Sequence, residues 1–158
     1  MGTWQEFAEQ EPELAAQVKD RFEAHRHKTI ATIRADGSPR ISGTEVPILD
    51  GQVYLGGMTG NRRFADLRRD PRVAIHSASE DPDRWTGDAK ISGVAVEIVD
   101  EEGLEAFRAA AGEVPPGPFE LFRVEVLEAT VVRLADEKDR LVIETWRQGA
   151  GARRFERA

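Results

Sequence analysis

The sequence predicts a mainly β protein, an antiparallel barrel with a few helices at its periphery. Three observations carry this. From Lys28 onward, runs rich in Val, Ile, Thr and Tyr follow one another and helical stretches are few. Tight turns join the runs, and Asp36-Gly37 and Asp50-Gly51 are hairpin signals. Strands do not alternate regularly with helices, so the pattern argues against a parallel βαβ sheet.

The elements follow in order. Glu11 to His25 reads as a helix: Pro12 suits its first position, Glu13 its first turn, and Leu14, Val18 and Phe22 share one face. KTIATIRA is a strand, and PRISGTEVPIL, opened by Pro39, is the next. QVYLGG is a third. NRRFADLRRD is a short helix with Asn61 at its N-cap and Pro71 as its stop, and RVAIHSA is a strand. SEDPDRWTGD is a polar loop. DAKISGVAVEIVD is a long strand, EEGLEAFRAAAG a helix and EVPPGP a rigid linker. FELFRVEVLEATVVRL and RLVIETWR are the closing strands, and GAGARRFERA is a flexible or extended tail.

The 158 residues suit one domain over residues 1–158, with a helical segment over 1–27 and a tail over 149–158. A net charge of −7 is unlike the basic balance of a nucleic-acid binder. The chain has no cysteine, which excludes disulfides and thiolate chemistry. No apolar run approaches the roughly 18 residues a membrane span needs. MGTWQEFAEQEPEL lacks the basic-then-apolar pattern of a signal peptide. The expectation is a cytoplasmic protein with no membrane and no nucleic-acid partner. Three His and no Cys give no recognised metal-ligand spacing.

Two stretches carry the candidate site. In PRISGTEV, Arg40, Ser42 and Thr44 sit two apart and share one strand face, opposite Ile41, Gly43 and Glu45. Gly43 weakens a strand unless the strand bends or something approaches closely. The second stretch is GGMTGNRRF. Gly56, Gly57 and Gly60, with Met58, Thr59 and Asn61, expose backbone N–H groups directly before a helix, which suits an anion. Arg62 and Arg63 then occupy the first helical turn, where the helix dipole favours acids by ~0.3–1 kcal/mol each. A phosphate there resolves the conflict: the N–H groups, the Thr59 hydroxyl, Asn61 and both guanidinium groups can converge on it. The structural alternative has both arginines in solvent or paired with Asp66, Asp70 or Asp88. The stretch is not a Walker motif, which needs GKS or GKT after its glycines.

The order ATIRADGSPRISGTEV, GQVYLGG, GNRRFADLRRDPRVAI and DAKISGVAVEIV resembles the flavin-binding split β-barrel family of pyridoxamine 5'-phosphate oxidase and the flavin- and deazaflavin-dependent oxidoreductases. FRVEV and LVIETWR are similar to the family's last strands. The resemblance implies a split β-barrel of six or seven antiparallel strands with peripheral helices. It implies a homodimer with a cofactor in two clefts at the subunit interface. It puts the cofactor phosphate at Thr59, Asn61, Arg62 and Arg63. The ring system would lie along Arg40, Ser42 and Thr44, near Gly57 and Met58, with Lys90 or Trp146 of the partner subunit closing the cleft. The family's oxidase proper ends in a substrate-binding RLHDR-like segment. The tail here reads GARRFER, so the resemblance implies a member with another, unassigned small-molecule substrate.

Other residues carry two readings. His76 ends a strand near the implied cleft and is a candidate for a hydrogen bond to ring or substrate, or a structural residue. His25 and His27 suit a helix C-terminus. No serine sits in a G-x-S-x-G elbow, which disfavours a serine hydrolase. Trp146 reads as core, interface or cofactor lid. Three functions remain open. The first is an oxidoreductase using FMN or the deazaflavin coenzyme F-420, whose ring carries the hydride chemistry. The second is a protein that binds a flavin, deazaflavin or haem without turnover. The third is a barrel serving only as a dimerisation scaffold. The deazaflavin has a longer anionic tail and calls for further basic residues, with Arg68, Arg69 and Arg84 as candidates.

Overall fold

The computed structural model describes residues 2–114 and 117–158. Pro115 and Pro116 of the expected EVPPGP linker lie outside the described residues.

Two helices open the chain. α1 (Trp4–Gln10) falls in the helical segment expected over 1–27, ahead of the helix read from Glu11, and the Thr3 hydroxyl caps it by accepting from the Glu6 N–H at 3.1 Å. α2 (Pro12–Glu23) follows at Pro12 and buries Leu14, Val18 and Phe22 as the spacing predicts. Then come β1 (His27–Ile33), β2 (Pro39–Glu45), β3 (Ile48–Leu49) and β4 (Gln52–Met58). α3 (Arg62–Arg69), β5 (Arg72–His76), β6 (Gly87–Glu97) and α4 (Glu101–Ala111) continue. β7 (Phe119–Leu134), β8 (Leu141–Arg147) and β9 (Gly151–Arg157) close the chain.

The nine strands among the described residues form one antiparallel sheet in the order β2-β1-β5-β6-β7-β4-β3, with β8 on β7 and β9 on β8. The count exceeds the six or seven expected for two reasons. Pro47 lacks an N–H and breaks PRISGTEVPIL into β2 and a two-residue β3. The tail is a strand, registered on β8 from Leu141↔Arg157 to Arg147↔Gly151. β7 is shared along its length: Phe119–Val124 pairs β4, and Glu128–Leu134 pairs β8. A bulge at Leu127 of β7, opposite the Ser92-Gly93 step of β6, bends β7 there. Gly93 is required there, because a Cβ would stand 1.9 Å from the Glu125 carbonyl oxygen.

The barrel interior and the N-terminal helices share one core, from Phe7, Val18 and Phe22 through Ile30 and Ile91 to Phe64 and Phe122. A smaller cluster under α4 packs Tyr54 on Phe107, with ring centroids 5.0 Å apart. The sheet does not close by hydrogen bonds. β3 covers only Gln52 and Val53 of β4, and β2 pairs only β1. The edges of β2 and β4 still approach each other. α3 begins at that seam, directly after β4.

No helix among the described residues is long and apolar enough to cross a membrane.

Candidate functional site

The seam gathers several of the expected site residues. Thr44, buried on the inward face of β2, accepts from Arg63 Nη2 at 3.4 Å. Arg63 Nη1 donates to Asn61 Oδ1 at 3.4 Å. The guanidinium lies over the Phe64 ring, 4.8 Å from its centroid. Gly57 leaves the guanidinium its space: a Cβ there would stand 3.1 Å from Arg63 Nη2. Arg63 Nε is buried with no hydrogen-bond partner. Burial lowers the pKa of Arg63, since removing water disfavours the charged form.

Asn61 holds the N-cap position of α3 in an extended conformation, but its side chain makes no cap hydrogen bond. Its Nδ2 donates instead to the Met58 carbonyl at 2.7 Å. No acidic residue stands in the first turn either. The loop is braced from behind, where the Gly60 N–H donates to Glu120 Oε2 at 3.2 Å. Arg68, on the back of α3, holds both Glu120 and Glu97, and these hydrogen bonds raise its pKa. Thr59 is exposed on this loop and Met58 is 78% exposed at its start.

Of the carboxylates considered as partners of Arg62 and Arg63, Asp66 and Asp70 are engaged elsewhere and Asp88 faces His76. Asp66 is buried and accepts from Arg40 Nε at 2.6 Å, Thr32 Oγ1 at 2.8 Å and Arg69 Nη2 at 3.0 Å. Burial pushes the Asp66 pKa up, but the hydrogen bonds from Arg40, Thr32 and Arg69 outweigh it and hold the carboxyl below its ordinary value. Asp70 is hydrogen-bonded by Arg72, which draws it down to about 2. Asp88 Oδ2 lies 4.0 Å from His76 Nε2. Arg62 and Arg63 therefore form no ion pair among the described residues.

The remaining expected residues separate. Ser42 lies on the β2 face between Arg40 and Thr44. His76 and Lys90 are register partners on β5 and β6, on the opposite face of the sheet from Thr44. His76 Nδ1 donates to the Ser77 carbonyl. Within one chain they do not meet Arg63. Trp146 is corrected: it is fully buried, an inward β8 residue under α1. Its indole N–H donates to Gln10 Oε1 at 3.0 Å, and its ring packs on Phe7 at 4.9 Å. It belongs to the core and closes no cleft.

Sequence reasoning missed the brace at Glu120 and the binding of Arg40 to Asp66. Glu120 meets the loop only through the β4–β7 register, Gly57↔Glu120. Arg40 and Asp66 are likewise joined only by the packing of α3 on β1 and β2. The single readable signal for the latter was a lone acid among the four arginines of α3.

The fold and the seam define an antiparallel split barrel with a cationic, uncapped helix start at its open edge. The sequence matches the family model described as pyridoxamine 5'-phosphate oxidase over residues 14–148, and the chain belongs to that family. A pyridoxamine 5'-phosphate oxidase-related, FMN-binding protein from Nostoc punctiforme has the same fold. It aligns with TM-score 0.64 and 14% identity, over 90% of this chain and 94% of that one. An FAD-binding protein from Mesorhizobium loti aligns with TM-score 0.56 and 20% identity, over 74% and 92% of the two chains. A heme-binding protein from Mycobacterium smegmatis aligns with TM-score 0.57 and 15% identity, over 90% and 88%. No curated protein matches the sequence.

Proposed function

We propose that this protein binds FMN, or a related flavin or deazaflavin, at the β2–β4 seam and acts as an oxidoreductase on a small-molecule substrate. The observation that carries the reading is Arg63, a partly buried cation with an orphaned Nε, no ion-pair partner among the described residues and no capping acid beside it. A partly desolvated charge with a buried, unsatisfied N–H carries a cost that a ligand can offset. The donor set fits a phosphate. Arg63, Asn61 and the N–H groups of the helix start would hold it, with Arg62 and Thr59 at the rim. Gly57 and Met58 flank it, and a ring would lie along the polar β2 face of Arg40, Ser42 and Thr44, on which Asp66 holds Arg40 and Arg63 holds Thr44. A bound flavin or deazaflavin supplies hydride transfer at its ring.

The same reading makes the protein a homodimer. Ile41 is 74% exposed on the outer face of β2, beside Gly43 and level with Ala31 and Ala74 on the neighbouring strands. That face is flat and carries His76 and Lys90, which reach a seam only if it belongs to a partner subunit. Sedimentation at micromolar concentration is expected to give a dimer, and a monomer rejects this part of the reading. The tail strand GARRFER lacks a His-Asp pair, so the substrate proposed is not pyridoxamine phosphate.

The test is a spectrum. The purified protein, as isolated or after FMN titration, is expected to show a flavin or deazaflavin absorbance that a hydride donor bleaches and an acceptor restores. Mass spectrometry of the extracted chromophore identifies it. A bound flavin that no donor reduces leaves a binding protein, and a haem spectrum replaces the cofactor. Absence of any chromophore together with no binding of FMN rejects the reading.

A further inference from the structure

The tail strand leaves one edge of the sheet open. β9 pairs β8 and no other strand, in an unbroken register from Arg147↔Gly151 to Leu141↔Arg157. Its far edge therefore presents backbone N–H and C=O groups with no strand beside them. Gly151–Arg157 contains no proline and no bulge, so neither device blocks a further strand. The β8–β9 hairpin grows from Glu128–Leu134, the half of β7 that does not pair β4, and its edge is not one of the two that make the seam.

The side chains of β9 sort by register. Register partners share a face, so Phe155 continues a row with Ile143 and Val132, and Arg157 one with Leu141 and Leu134. These four aliphatic residues are half-buried, and Phe155 is 47% exposed at the end of its row. Arg153 and Arg157 flank Phe155 on the same face. Neither forms an ion pair among the described residues, whereas Arg154, on the other face, shares Glu156 with Arg140. The open edge reads cation, apolar, cation at alternate positions, in a chain of net charge −7.

We propose that this edge docks an extended acidic segment of another protein, which adds to β9 as a further strand. Main-chain hydrogen bonds supply the pairing. An acid opposite Arg153, an apolar residue opposite Phe155 and an acid opposite Arg157 supply the choice of partner. Charge selects against a second copy of this chain. Two antiparallel β9 strands centred on Phe155 set Arg153 against Arg157 twice, and like charges directly opposite repel. The same arginines attract an acidic strand. None of these residues is a candidate cofactor ligand, and the docking does not rest on the cofactor reading.

The test uses the full-length protein and labelled, threonine-rich peptides followed by fluorescence anisotropy. The probe carries two glutamates flanking a valine at alternate positions. One control replaces both glutamates with lysine. The other keeps them and replaces the threonines between them with proline, which donates no hydrogen bond to a ladder. The probe is expected to bind at low salt, with both controls about tenfold weaker. In the double variant Arg153→Glu with Arg157→Glu, at two exposed positions, the lysine peptide is expected to bind more tightly than the probe. If circular dichroism shows that the variant does not fold, the proline control on wild type decides. Equal binding of the proline peptide means charge attraction alone and overturns the proposal. So does a probe that wild type does not bind, or a folded variant that still prefers it. A wild-type oligomer that the folded double variant loses in sedimentation places a second copy on this edge and overturns the proposal as well.

Discussion

Arg63→Met separates a cation kept for a ligand from one kept for the fold. Methionine fills similar volume and keeps an apolar contact with the Phe64 ring. In the ligand-free protein the change removes the orphaned Nε, a buried unsatisfied donor that costs ~1–3 kcal/mol. It also removes the stacking on Phe64, ~0.5–1 kcal/mol. The two long hydrogen bonds, to Thr44 and Asn61, add little on the losing side. The balance is neutral to about 2 kcal/mol stabilising, up to about 8 °C in Tm for a domain of this size. Phosphate binding moves the other way. Losing a charge-assisted contact worth ~1.5–3 kcal/mol weakens FMN about 10- to 150-fold. The assay is a thermal melt of the ligand-free protein, with FMN titrated into wild type and variant. Arg68→Met is the control, because Glu97 and Glu120 hold that guanidinium, and it is expected to lower Tm. A lower Tm for Arg63→Met together with unchanged FMN affinity refutes the reasoning.

Three further outcomes are expected. Asp66→Asn strands Arg40 and Arg69 and should cost about 3 kcal/mol near neutral pH, read by urea unfolding. Because the folded pKa of Asp66 lies below its unfolded value of about 3.9, its contribution is complete above that value and fades as pH falls through the folded pKa. The gap between wild type and variant should therefore narrow in acid; a gap that widens there refutes the assignment. Trp146→Phe loses the hydrogen bond to Gln10 and some core volume, so it should cost about 1–3 kcal/mol and leave FMN affinity unchanged. A selective loss of FMN binding in this variant would restore Trp146 to the site. Truncation after Gln148 removes β9, all but the first of whose residues are exposed, and uncovers the edge of β8. The shortened chain should fold by circular dichroism yet bind FMN less tightly, and an unfolded product would make β9 part of the core.

Much of the fold was legible because most strands bury one face. β1 can be read from its β-rich run and the Asp36-Gly37 turn after it, and α2 from its Leu14, Val18 and Phe22 stripe, although the inward face of β1, with Lys28, Ile30 and Thr32, cannot. β9 was not legible as a strand because the buried-face signal is missing from Gly151–Arg157; the segment is a strand only because β8 offers it an edge. The break at Pro47 was present in the sequence but was overrun by the apolar residues around it. At the site, the conflict of two arginines with a helix dipole was visible. Their divergence was not, since it depends on which side of α3 meets the seam. Asp66 stands four residues after Arg62, the spacing of a helical ion pair. It is drawn inward to Thr32 and Arg40 instead.

The way this chain distributes its acids makes the seam unusual. It carries 29 Asp and Glu against 22 Lys and Arg, so counter-charges are abundant. Around α3 they are used with selectivity: Asp66 serves Arg40 and Arg69, Asp70 serves Arg72, and Glu97 and Glu120 serve Arg68. Among the described residues, Arg62 and Arg63 receive none. A carboxylate in the first turn of α3 would have capped the helix and paired with Arg63 in one step, yet that turn holds no acid. The unpaired cations also stand where the barrel fails to close, at edges of β2 and β4 that no strand joins. A fold optimised only for its own stability would close the seam with hydrogen bonds or fill it with apolar side chains. On the proposed reading, an anion bound at the open, uncapped and positive seam offsets the stability that the isolated chain forgoes there.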